Sequence, residues 1–132
     1  MTTAHWAASY IGEPWVAQSN DCWAFCRRVW REQFGVDVPV IGVDTENMLA
    51  VAQAFRDNPE RVQWYEVAEP REGDAVLMAH WRHPSHVGIW LEVDGGGVLH
   101  CERGPGVVFS GRAAMDRAGW RTLRFYRREV AS

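Results

Sequence analysis

The run Asn20-Asp21-Cys22-Trp23-Ala24-Phe25-Cys26-Arg27-Arg28-Val29-Trp30 restricts this chain more than any other stretch. Cys22, Phe25, Cys26, Val29 and Trp30 recur at three- and four-residue steps, which draws one apolar stripe along a helix. Arg27, Arg28, Arg31 and Glu32 fall on the other face. Asn20 or Asp21 supplies the N-cap, and Gly35 stands where a helix ends. A thiol in the first turn feels unpaired N–H groups and the positive end of the helix dipole. That placement favours the thiolate, which is the nucleophile. The competing reading is plain packing, because free cysteine is among the most buried residue types. A base elsewhere in the chain decides between them.

The 132 residues, 47% hydrophobic and 23% charged, are expected to form one domain, 1–132. A net charge of −3 and the lack of any Lys or Arg run give no reason to expect nucleic acid or a membrane surface as partner. Eight tryptophans are many for this length, and flat aromatic surface beyond the core's need suits a cleft that takes a polymer. Three cysteines, two of them four apart on one helix, are expected as free thiols. Met1 to Trp6 shows no basic region followed by an apolar run, so no signal peptide is expected and synthesis is predicted to be cytoplasmic. No apolar run nears the ~20 residues of a membrane span.

The first half reads as helices and connections. A short helix is predicted over 4–11, a turn at Gly12 to Trp15, an extended connection over 36–43, and a second helix from Asp44 or Thr45 to about Arg56. From Val62 the pattern becomes strands and turns: an edge segment at 62–67, strands at 74–78, 86–91, 98–101 and 107–109, and a short helix at 111–118. A strand at 122–126 closes the sheet. Helices first and an antiparallel sheet afterwards make an α+β fold.

A cysteine nucleophile needs a histidine to take its proton and a third group to orient that histidine. His86 opens one predicted strand and His100 lies on its hairpin partner, where cross-strand side chains on one face approach to about 5 Å. Cys22, His86 and His100 thus offer nucleophile, base and orienter. The rival is a zinc site on His80, His83 and His86 with Cys26 and Cys101 available. Pro84 argues against a helix that would gather the three imidazoles, and the spacings match no common structural site, so no metal and no cofactor is expected. Cys26 is expected in the core, and Cys101 behind His100.

Asp21-Cys22, then His86-Val87-Gly88-Ile89-Trp90-Leu91, then a glycine turn and Val98-Leu99-His100 resembles the NlpC-type family of cell-wall peptidases. Glu72-Gly73-Asp74-Ala75-Val76 is similar to that family's strand entry, and Gly106-Val107-Val108 to its strand after the second histidine. The likeness runs from about Tyr10 to Arg127. It implies a papain-like fold, with Cys22 as nucleophile, His86 as base and His100 as orienter. It also implies hydrolysis of the amide between D-γ-glutamate and a diamino acid in peptidoglycan stem peptides. The chain departs from the pattern in having Trp23-Ala24 where Ser-Gly is common, and Trp15 where a tyrosine is usual. The Cys-Trp variant resembles short versions carried as tail-tip components of tailed phages, which implies tail proteins as partners and a virion location acting at the wall. Trp15, Asp21 and Trp23 are the candidate substrate-binding residues, although Asp21 also serves as N-cap. The Cys22 N–H is the natural oxyanion donor. Gln18 and Asn20 are candidates for the second. Two rivals share the scaffold: a phage tail or binding module without turnover, and a lipid acyltransferase, disfavoured by the lack of any anchoring segment.

Overall fold

A computed structural model of the chain describes residues 5–36, 64–80 and 86–128, apart from the side chains of residues 64, 122 and 123. The extended connection after Val36, the second helix and His83 lie outside the described residues.

Helix α1 (Cys22–Phe34) is held at both ends as its sequence requires. The Asp21 carboxylate accepts the Ala24 N–H at 2.8 Å, and Gly35 turns the chain into the left-handed region at φ 64°. The segment predicted as a helix at 4–11 forms only the 3-10 turn Trp6–Ser9, capped by the His5 ring. So short a segment offers few bonds for its nucleation cost. Gly12, at φ 92°, then breaks it.

The strands are β1 (Trp64–Val67), β2 (Ala75–Ala79), β3 (His86–Leu91), β4 (Gly97–Glu102), β5 (Gly106–Gly111) and β6 (Arg121–Arg128). A short helix α2 (Arg112–Arg117) joins β5 to β6. They make one antiparallel sheet in the order β1-β6-β2-β3-β4-β5. The last strand does not close an edge: it inserts between β1 and β2, and β1 lies at one edge with β5 at the other. The turn from β3 to β4 is tight because Gly96, at φ 100°, presses on the Trp90 ring, where a Cβ would come within 2.5 Å.

Strand alternation divides the apolar residues between two faces. Leu77, Val87, Ile89, Leu99, Cys101 and Val107 turn toward α1 and pack on its buried stripe. Val76, Met78, Trp90 and Val98 turn the other way, onto Met115 of α2 and Phe125. This is an α+β architecture with a helix on an antiparallel sheet, and the two faces set where each site residue can look.

Candidate active site

Cys22 opens α1 and is 7% exposed. Its sulfur meets β3 at Val87, whose peptide N–H, with that of Trp23, points at it and favours the thiolate. Burial outweighs both donors, helped by the Asp21 carboxylate, and pushes the thiol up to about 12. The helix N-terminus therefore does not ionise this cysteine at rest, contrary to expectation from its position. The dipole effect is worth at most ~2 kcal/mol, less than the cost of charging a sulfur inside the core.

Val87 is available because the sheet opens at this end. Trp90 exchanges backbone bonds with Asp74 and Gly73, so the even-numbered peptides of β3 bond to β2 and the odd-numbered ones face β4. The β3–β4 ladder runs only from Leu91↔Gly97 to Ile89↔Leu99. Beyond it the thiols of α1 engage the Val87 peptide, with Cys26 donating to its carbonyl at 3.9 Å. Cys101 bonds the Asn20 carbonyl at 3.2 Å, which ties β4 to the loop before α1. All three cysteines are free thiols.

His86 and His100 alternate with Val87 and Cys101, so they occupy the α2 side of the sheet. Both are buried, and His86 Nε2 lies 2.9 Å from His100 Nδ1. Continuing the register of Ile89 with Leu99 pairs Gly88 with His100, so the imidazoles meet on a diagonal. Gly88 makes room, since a Cβ there would lie 2.4 Å from Val98 Cγ1 and 3.0 Å from His100 Cβ. The second nitrogen of His100 is 3.1 Å from Ser110 Oγ on β5. Burial lowers both histidines: His100 is pushed down to about 4, and His86 falls well below its ordinary range, with the neighbouring His100 as a further cause.

Trp120 covers this pair. Its indole stacks on His86 at 5.0 Å between ring centres and on His80 at 3.8 Å, so it lies between two imidazoles. His80 Nδ1–H donates to the Gly119 carbonyl (3.1 Å), and the Trp120 N–H donates to Glu102 (3.2 Å). His80 thus braces the cover. Sequence reasoning missed Glu102, although its place two beyond His100 on one strand was a signal that puts both on the same face. Ser110 and Trp120 had no such signal, because strand register and the loop after α2 bring them in.

The three residues proposed to touch substrate differ in their surroundings. Asp21 is 4% exposed, and its second oxygen accepts the Gln18 N–H at 3.2 Å, so its carboxylate ties the loop to the helix. Asp21→Ala is expected to lower stability by about 2 kcal/mol, the upper range for an N-cap, in urea unfolding, while Asp21→Asn retains most of it. Trp23 is 3% exposed and packs edge-on against Trp30 at 5.9 Å, so its indole serves the core. Trp15 is half-buried under the Arg103 guanidinium, 4.5 Å from its ring centre, and packs against the α1-side core. The Asn20 amide is engaged at both ends, donating to Pro14 O and accepting from Arg28. Of the two candidates for second oxyanion donor, the exposed Gln18 is therefore the freer; it sits at φ 69°.

The sequence model of the NlpC/P60 family matches residues 8–125. This chain belongs to the NlpC/P60 family. No curated protein matches it. As an NlpC/P60 protein it is in its general class a cell-wall peptidase that works on peptidoglycan peptides. No helix among the described residues is long and apolar enough to cross a membrane.

Proposed function

We propose that this NlpC/P60 protein is a cysteine peptidase that cleaves the D-γ-glutamyl–diamino acid amide of stem peptides, with Cys22, His86 and His100 as its working residues. The observation that carries the reading is the buried chain His86–His100–Ser110 on one side of the sheet, with Cys22 at the start of α1 on the other. The Ser110 hydroxyl can donate or accept, so the contacts allow two tautomers of the pair, and the relay uses one of them. If His100 Nε2–H donates to Ser110, His100 Nδ1 accepts from His86 Nε2–H, and His86 Nδ1 keeps a lone pair. For that lone pair to take the Cys22 proton, the His86 side chain turns from the α2 side of the sheet toward the α1 side around the open end of the β3–β4 ladder.

Because thiol and imidazoles are neutral at rest, the proton leaves sulfur as the carbon–sulfur bond forms, without a standing ion pair. His86 then passes that proton to the departing amine as the C–N bond breaks. A water deprotonated by His86 attacks the thioester, and the proton returns to sulfur as the acid product leaves. The Cys22 N–H at the helix start is directed to the carbonyl oxygen. The Cys22-Trp23 run supports placing the protein on a phage tail; its absence from purified particles would overturn that placement.

Mass spectrometry of purified muropeptides incubated with wild type and Cys22→Ala tests the reading. Fragments cut after D-γ-glutamate are expected from wild type alone. Intact muropeptides in both samples would favour a tail or binding module without turnover, the reading that a thiol pushed up to about 12 also suits.

A further inference from the structure

We infer that His86, His100 and Glu102 form a binding site for a zinc-class divalent ion, and that its occupation switches the peptidase off. The site itself stands on geometry, while the switching rests on the function proposed above. One donor atom from each of the three residues lies within 4.8 Å of the other two. The donors come from the adjacent strands β3 and β4, so the scaffold that brings them together is a sheet rather than a mobile loop.

Two imidazoles and a carboxylate suit zinc and its neighbours Co²⁺, Ni²⁺ and Cu²⁺ better than Mg²⁺ or Ca²⁺, which take oxygen sets. Three protein ligands leave a fourth position for water, as in open zinc sites. Nitrogens bound to one tetrahedral zinc at ~2.05 Å stand about 3.3 Å apart. His86 Nε2 and His100 Nδ1 are at 2.9 Å, so the pair need open only by about 0.4 Å. Outer partners are already in place. Ser110 holds the far nitrogen of His100, which leaves Nδ1 free to ligate, and the Trp120 N–H fixes Glu102.

The ion and the proton relay exclude one another. In the relay His86 Nε2 carries a proton and Nδ1 is bare. For Nε2 to ligate, that proton moves to Nδ1 of the same ring, which fills the lone pair that would receive the Cys22 proton. Binding thus leaves the imidazoles' total proton count unchanged but reverses the tautomer that catalysis needs.

Calorimetric titration of zinc and cobalt spectroscopy on the Cys22→Ala protein test the site without any need for turnover. One ion per chain is expected, with cobalt d–d bands and no thiolate charge-transfer band. Glu102→Gln is expected to weaken binding at least tenfold, and His86→Gln more. No binding, or binding untouched by both substitutions in folded protein, would overturn the site. Binding by wild type that vanishes in Cys22→Ala would place the ion on the thiol and overturn it equally. In active wild type, zinc is expected to stop hydrolysis and a chelator to restore it. Full activity with the ion bound would overturn the switch alone, and an inactive wild type that binds zinc would remove the function and leave the site.

Discussion

His86→Gln is expected to lower kcat/KM for stem-peptide hydrolysis by about 10³-fold or more, mainly through kcat. That is roughly 4 kcal/mol of transition-state stabilisation. Glutamine can keep an amide near the Nε2 position and so answer His100 Nδ1, but it cannot accept a proton and release it again. The fold should survive, because the variant leaves no buried nitrogen unanswered. Ser110→Ala offers a graded comparison. It frees the tautomer of His100 without removing a proton carrier, so a loss of about tenfold is expected, in line with losses from removing an outer orienting partner. Steady-state kinetics on a defined stem peptide check both. Activity of His86→Gln within threefold of wild type would remove this residue from the mechanism, whatever Cys22 does.

The second large effect is on stability in mild acid. An unfolded histidine titrates near 6.5, whereas His100 is held at about 4 by burial and His86 is also lowered. Above pH 6.5 both states carry neutral imidazoles, and stability does not change on this account. As pH falls below 6.5 the unfolded chain binds protons that the folded protein refuses, so stability falls until the folded pKa is passed. For His100 the loss is on the order of 3 kcal/mol by pH 4, and about 2 kcal/mol by pH 5. His86 adds in the same direction. A drop in melting temperature of roughly 10 °C between pH 7 and pH 5 is therefore expected, in a range where ordinary carboxylates stay largely ionised. A melting temperature flat across that range would show that the pair is not buried neutral.

Helix α1 was legible in full, from the Asp21 cap to Gly35, because its periodicity and end signals are local and agree. The strand at 86–91 was legible to the residue for the same reason, as an apolar run between turn signals. The place of β6 was not. Which neighbours a strand takes depends on pairing across the whole sheet, and nothing within 121–128 states that it will lie between β1 and β2. Periodicity over 4–11 suggests a longer helix, but only the 3-10 turn Trp6–Ser9 forms because too few bonds are available to hold more.

For the site the division falls in a different place. Residue type and order along the chain single out Cys22, His86 and His100 as candidates, and the expected meeting of the two imidazoles is present in the fold. Their charge states are not set that way. A helix start favours thiolate only if water or a counter-charge can share the cost, and the packing of α1 on the sheet removes the water. Position along the chain thus determines which groups can do chemistry. Depth in the folded protein, together with the pleat that turns Val87 to one face and His86 to the other, determines what form those groups take at rest.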